Sequence, residues 1–180
     1  MTLIQEGNLQ FEFGGEWKTL KYDENGAFYR TCLASRIEPT KAVDILCVCS
    51  RRPLVMMEIK DYSRTPFSSE RFDGLPMDVA IKVRDTLAGI IGGAHNTENV
   101  FERHFFKNAF EYLDAPPQVV LFYVDPVSKS ERPPQRSKNK QDVLQKNLRK
   151  HLRWLTRNVV IVGLNNYANM IAGLTVRQKI

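Results

Sequence analysis

Apolar residues recur along this chain with two periods, and the switches between them divide it into elements. Six short runs, Leu9–Phe13, Trp17–Tyr22, Ala42–Cys49, Leu54–Lys60, Val119–Val124 and Asn158–Val162, have the length and the β-branched or aromatic content of strands. The first two flank Gly14-Gly15 and predict a hairpin. Asp23 is placed to cap a short helix reaching about Ala34. Elsewhere the spacing is helical. Val79, Val83, Leu87 and Ile90 predict a helix over Met77–Ile91, with Pro76 in its first turn and Gly92-Gly93 as its stop. A second helix, rich in Phe101, Phe105, Phe106 and Phe110, is predicted from Asn96 or Thr97 to Leu113, before Pro116-Pro117. Val143, Leu144, Leu148, Leu152 and Leu155 mark the inner side of a helix over Asn139–Leu155. The stretches 61–76 and 127–138 are polar and proline-bearing, and read as a surface loop and a mobile segment.

Strands first, then helices alternating with apolar strands, predict an α/β sheet covered on both faces. The 180 residues suit a single domain, and 43% apolar content is enough to give it a proper core. No apolar run approaches the roughly 20 residues needed to span a bilayer, so no membrane role is expected. Met1–Glu6 has no basic region leading into an apolar stretch, and the three cysteines cannot all pair within one chain. Both features predict a reducing, cytoplasmic location.

Charge alters this picture because it is uneven. Residues 129–157 hold ten Lys/Arg against Glu131 and Asp142, a local +8, while the whole chain carries +6. The remainder is therefore slightly acidic, at −2. A basic stretch on such a body is an electrostatic footprint for a polyanion, and Lys146, Arg149, Lys150 and Arg153 are its candidate phosphate contacts. Trp154 is positioned either to stack on a base or to anchor the helix in the core, with the buried role favoured.

The chemistry concentrates in Lys41-Ala42-Val43-Asp44 and Glu58-Ile59-Lys60-Asp61. Position 51, in the turn Ser50-Arg51-Arg52-Pro53, is the midpoint of 44 and 58. A hairpin centred there opposes Asp44 to Glu58, Leu46 to Met56 and Val48 to Leu54, with Lys60 on the same face. The other face carries Ile45, Cys47, Cys49, Val55, Met57 and Ile59. Two carboxylates and an ammonium on strands buried on both sides are costly unless they have a purpose. A hard divalent cation would relieve the carboxylate repulsion, polarise a phosphoryl oxygen and activate a water. Lys60, protonated beside two anions, would orient that water or stabilise the transition state. The competing structural reading is an ion-pair cluster at a sheet end, with Asp44 on Lys60 or Lys41.

Asp44 followed after thirteen residues by Glu58-Ile59-Lys60 resembles the D…ExK signature of the PD-(D/E)XK nuclease superfamily, with Val43 where the formal motif has proline. The resemblance covers residues 41–62 and extends loosely to about 125. It implies a restriction-endonuclease-like mixed sheet with an α-β-β-β-α-β core flanked by helices, Mg²⁺ or Mn²⁺ as cofactor, and DNA as substrate. It also implies a main-chain metal ligand at Ile59, a further acid upstream (Asp23 or Glu24, with Glu16 behind them), and a basic side chain on the helix after ExK. Lys82, which shares a helix side with Asp78 and Asp85, is the candidate for that last role, with an ordinary solvated lysine the favoured reading of it. Members of this size often act as homodimers, though no residue here marks a dimer face.

Two alternatives stay open. A catalytically inactive protein of the same fold would bind nucleic acid or a partner protein, and a small interaction protein would offer its basic arm to an acidic partner. Cys47-x-Cys49 lacks a second Cys/His pair and reads as packing rather than a zinc site. His95, His104 and His151 form no ligand pattern, and the glycines at 89, 92 and 93 do not form a phosphate-cradling loop.

Overall fold

The computed structural model describes residues 1–50, 52–64, 68–125, 134–169 and 171–179, the side chains of 134–139 excepted. The fold is mixed α/β with two sheets. Strands β1 (Thr2–Glu6), β2 (Leu9–Phe13) and β8 (Leu174–Gln178) form an antiparallel sheet in the order β1-β2-β8. Strands β3 (Lys18–Lys21), β4 (Ile45–Cys49), β5 (Arg52–Asp61), β6 (Gln118–Val124) and β7 (Val159–Val162) form a five-stranded sheet in that order. Its first three strands run antiparallel, and β5, β6 and β7 run parallel.

The period-two pattern of β4 and β5 decides what covers each face. Leu46, Val48, Leu54 and Met56 join Val119 and Leu121 beneath three helices, α1 (Ser69–Asn96), α2 (Val100–Glu111) and α3 (Pro134–Leu152). Ile45, Cys47, Val55, Met57 and Ile59 point the other way, onto Phe11, Phe13, Leu174 and Val176 of the small sheet. The large sheet is thus covered on both faces. Among the described residues, α1, α2 and α3 lie on one face and the small sheet on the other. The second layer is missing from the sequence reading because β1 and β8 are short, and β8 closes on β2 from the far end of the chain.

Several local expectations are also corrected. No hairpin forms at Gly14-Gly15: β2 pairs with β1 and β8, whereas β3 crosses to the large sheet and pairs with β4. The crossing is held by Gly14 N–H to Gly173 O at 2.8 Å and Trp17 Nε1–H to Ala172 O at 3.0 Å. Asp23 caps no helix; a single π-helical stretch runs from Tyr29 to Ala34 with no side-chain cap. Because β3 precedes it, the described order departs from a helix followed by three strands. Helix α1 starts at Ser69 rather than at Pro76, with Ser68 Oγ accepting from Arg71 N–H, so Pro76 lies inside the helix without an N–H for the Phe72 carbonyl. The helix also runs through Gly92-Gly93 to Asn96. Gly93 is there for packing, since a Cβ would run into the Phe106 ring.

Helix α2 is capped by Asn99, whose Oδ1 accepts from Phe101 and Glu102 N–H, and it ends at Glu111, followed by a 3₁₀ turn over Tyr112–Asp114. Phe105 and Phe106 are core, but Phe101 and Phe110 are exposed. In α3, Leu144, Leu148 and Leu152 are buried while Val143 is half exposed, and Leu155 lies beyond the helix end. The stretch 127–138, expected to be mobile, lies outside the described residues up to 133, and from Pro134 its backbone is helical. No helix among the described residues is long and apolar enough to cross a membrane.

Candidate active site

The expected strand register is present where it matters. Leu46 pairs with Met56 and Ile45 with Met57, a register that carries Asp44 to the level of Glu58. It shifts between Cys47 and Cys49, so Val48 does not oppose Leu54 and Cys49 meets Arg52. Pro53, which has no N–H to give the ladder, sits in the shifted stretch. The slip falls on the turn side and leaves the charged end intact.

Asp44 precedes β4 and is held from three directions. Its N–H donates to Met57 O at 3.1 Å, its carbonyl accepts from Tyr22 N–H at 2.9 Å, and its Oδ2 accepts from Ile59 N–H at 2.5 Å. Helix α1 fixes the segment just before it: Asp85 Oδ2 accepts from Lys41 N–H at 3.0 Å and Thr86 Oγ1 from Val43 N–H at 3.1 Å. Asp78 pairs with the Lys41 ammonium. Asp78, Asp85 and Thr86 therefore register α1 against the strand that presents Asp44. Only the shared helix side of Asp78, Lys82 and Asp85 hinted at this in the sequence.

With Oδ2 engaged, Asp44 Oδ1 is free to face the same cation as Glu58. That cation is the Lys82 ammonium, 3.6 Å from Asp44 Oδ1 and 2.7 Å and 3.0 Å from Glu58 Oε1 and Oε2. Lys60 Nζ lies 2.6 Å from Glu58 Oε1. Although two ammonium groups are this near, neither is angled to hydrogen-bond Glu58 Oε1, which is buried without a hydrogen-bond partner. Glu58 is fully buried and Asp44 is 5% exposed. Lys82, favoured from sequence as a solvated lysine, instead contacts both acids, whereas Lys60 contacts Glu58 alone.

The electrostatics follow from this burial. Burial, then the Glu58 charge, push the Asp44 carboxyl up to about 7, against the opposing pull of Lys82 and the Ile59 N–H. Burial pulls the Lys82 ammonium down, but Glu58 and Asp44 outweigh it, and its pKa is raised. Asp23 is partly buried, its Oδ1 lacks a hydrogen-bond partner, and burial and Glu6 raise its pKa. Its charge acts on Asp44, and Lys82 acts on it, so Asp23 borders the site. Glu24 and Glu16 are exposed, and no contact ties either to the site.

Among the described residues no group of three or more His, Cys, Asp or Glu is arranged to hold a metal ion. Two carboxylates do converge, and Mg²⁺ typically needs one or two of them, completing its shell with water and substrate phosphate. The donors present, Asp44 Oδ1 and a Glu58 Oε1 without a hydrogen bond, fit such an ion. Cys47 is buried, and that burial raises its thiol pKa.

The basic helix α3 lies on the same face of the large sheet as α1, against β7. Lys146, Arg149 and Lys150 are exposed on α3 and Arg153 just past its end, with Arg149 also donating to Val159 O at 3.2 Å. Trp154 is 62% exposed, which corrects the buried anchoring role favoured from sequence.

No family model matches this sequence, and no solved structure matches it. Over 138 residues the chain is 28% identical to a cysteine–tRNA ligase of Neisseria meningitidis serogroup A, covering 62% of this chain and 20% of that protein. The chain spans about a fifth of the length of the curated relative it matches, and the likeness assigns no family.

Proposed function

We propose that this protein is a metal-dependent nuclease of restriction-endonuclease-like fold that hydrolyses DNA phosphodiester bonds. The observation that carries the reading is the convergence of Asp44 and Glu58, both buried, on one cation, with Lys60 beside them. Strand order supports it: an antiparallel β3-β4-β5 meander brings Asp44 and ExK together, and a helical crossover leads to the parallel β6. The π-helical stretch between β3 and β4 is a departure from the superfamily order.

Asp44 Oδ1 and Glu58 would hold Mg²⁺ or Mn²⁺, with the main chain at Ile59 as a further ligand. When bound, the ion supplies Lewis-acid polarisation of the phosphoryl oxygen and a water of lowered pKa. Ile59 N–H fixes the Asp44 rotamer, so that Oδ1 is aimed before substrate arrives. Lys60, the more exposed of the two ammonium groups, orients the attacking water and stabilises charge growing on the phosphoryl oxygens. Lys82 keeps the two acids close together while no other cation is present. The exposed cations of α3 add sequence-independent affinity for the phosphate backbone.

A second reading, an inactive member of the same fold that binds nucleic acid or a partner protein, draws on one observation: the Lys82 ammonium already neutralises the acid pair. Incubating supercoiled DNA with the purified protein in Mn²⁺, Mg²⁺ or EDTA separates the two. The nuclease reading expects divalent-dependent nicking that disappears in folded Asp44→Ala and Lys60→Ala proteins. Equal nicking by Asp44→Ala would refute the site, and no nicking by the wild type under any of these conditions would favour the inactive form.

A further inference from the structure

The corner where α3 turns into β7 is the most unusual surface outside the acid cluster. Leu144, Leu148 and Leu152 are locked in the core, which fixes the opposite side of the helix toward solvent. That side presents Lys146 and Lys150, and Arg153 and Arg157 are exposed just past the helix end. No acidic residue occurs between Lys146 and Asn158. Among the described residues, no carboxylate forms an ion pair with these four cations.

Cations near a helix C-terminus have an ordinary explanation in the helix dipole. An indole left in water among them does not. Trp154 is 62% exposed, whereas the other tryptophan, Trp17, is 3% exposed. Solvating so large an apolar ring forgoes stabilisation that burial would give. A planar ring flanked by unpaired cations matches the chemistry of an unpaired nucleotide, which has an open base face and a charged backbone. In a duplex interior the base faces are covered by their neighbours, so the cations alone would serve duplex while the indole would serve only an unpaired base.

The geometry points to a single-stranded nucleic acid site at the α3–β7 corner, with Trp154 stacking on a base and Lys150, Arg153 and Arg157 holding the adjacent phosphates. The corner lies away from the acids. Val119 N–H donates to Asn158 O at the start of β6, while Glu58 is level with Leu121 and Lys60 with Tyr123. At about 3.3 Å per residue, the corner is on the order of 10–20 Å from the acids along the strands. If the nuclease reading holds, on which this placement of the substrate rests, the corner grips an unpaired arm flanking the bond to be cut rather than the scissile nucleotide.

The test uses the intact protein in EDTA, so that binding is read without cleavage. Fluorescence is followed during titration with a 12-mer oligo(dT), a duplex of equal length, and poly-glutamate. Because Trp17 is buried, quenching reports Trp154. The expectation is quenching by oligo(dT) with tighter binding than to duplex. Trp154→Ala should lose on the order of 10- to 100-fold in oligo(dT) affinity, measured by anisotropy of a labelled strand, and Trp154→Phe should retain most of it. Lys150→Gln with Arg153→Gln should weaken binding and flatten its salt dependence. Equal or tighter binding of duplex, equal capture of poly-glutamate, or unchanged affinity in Trp154→Ala would each overturn the proposal. Trp154-dependent binding without any divalent-dependent cleavage would uphold this site while sinking the nuclease. Cleavage with no Trp154-dependent binding would do the reverse.

Discussion

Removing the Lys82 ammonium is the sharpest perturbation of the acid cluster. In Lys82→Ala, among the described residues Glu58 keeps only Lys60, and Asp44 loses the one cation within ion-pair distance of it. Breaking a buried ion pair by deleting one partner typically costs about 3–5 kcal/mol, because the charge left behind is neither hydrated nor compensated. For a chain of this size each kcal/mol moves Tm by roughly 2–4 °C, so the expected fall is roughly 6–20 °C in EDTA at pH 8, above the value of about 7 that Asp44 has while Lys82 is present. Two controls make the cause identifiable. A divalent ion at a hundred times its Kd should return about 2.7 kcal/mol by replacing the lost cation. The charge-free combination Asp44→Asn, Glu58→Gln and Lys82→Met should recover much of the stability without any ion. The assay is thermal and urea unfolding, followed by circular dichroism. If Lys82→Ala melts within about 2 °C of wild type, the two acids are not the buried, mutually repelling pair described here, and the argument from their cost fails with them.

Other outcomes follow from the same geometry. The Asp44 carboxyl is raised from its ordinary 3.8 to about 7, so the protonated form favours the folded state. Its contribution is fully present below pH 3.8 and is lost as pH rises to about 7, a fall on the order of 4 kcal/mol that Asp44→Asn should remove from the stability–pH curve. The same protonation should weaken Mn²⁺ binding below about pH 7, read by calorimetry at pH 6 and 8. Thr86→Val orphans the buried Val43 N–H and should cost about 1–3 kcal/mol in urea unfolding, with a loss of any cleavage rate beyond what lower stability explains. Gly93→Ala forces a methyl against Phe106 and should cost about 1–3 kcal/mol while leaving metal affinity unchanged.

The acid cluster was legible in the sequence for a specific reason. In β4 and β5 both alternating sets are apolar, so Asp44, Glu58 and Lys60 stand out as charges with no solvated face to occupy. The turn midpoint then supplies the register, and Ile45–Met57 and Leu46–Met56 obey it. What lay beyond reach was tertiary. Nothing local says that Lys82 reaches over the sheet to both acids, because that depends on how α1 crosses it. The side-chain bonds from Asp85 and Thr86 to the backbone at 41 and 43 are hidden for the same reason. The β1-β2-β8 sheet closes over a sequence separation that no periodicity reports. At the start of α1, proline and glycine suggested a loop over 61–76, but the Ser68 cap and the burial of Leu75 and Pro76 outweigh them. Trp154 shows the converse: a buried anchoring role was favoured for it, yet it falls past the end of α3 and is exposed.

The proposed site requires Asp44 and Glu58 to share one cation, and counting bound Mn²⁺ addresses that most directly. Paramagnetic titration at pH 8 should find one Mn²⁺ per wild-type chain, and none at the same concentration in folded Asp44→Asn or Glu58→Gln protein. Equal Mn²⁺ uptake by both variants, or none by the wild type even with a phosphodiester oligonucleotide present, would contradict it.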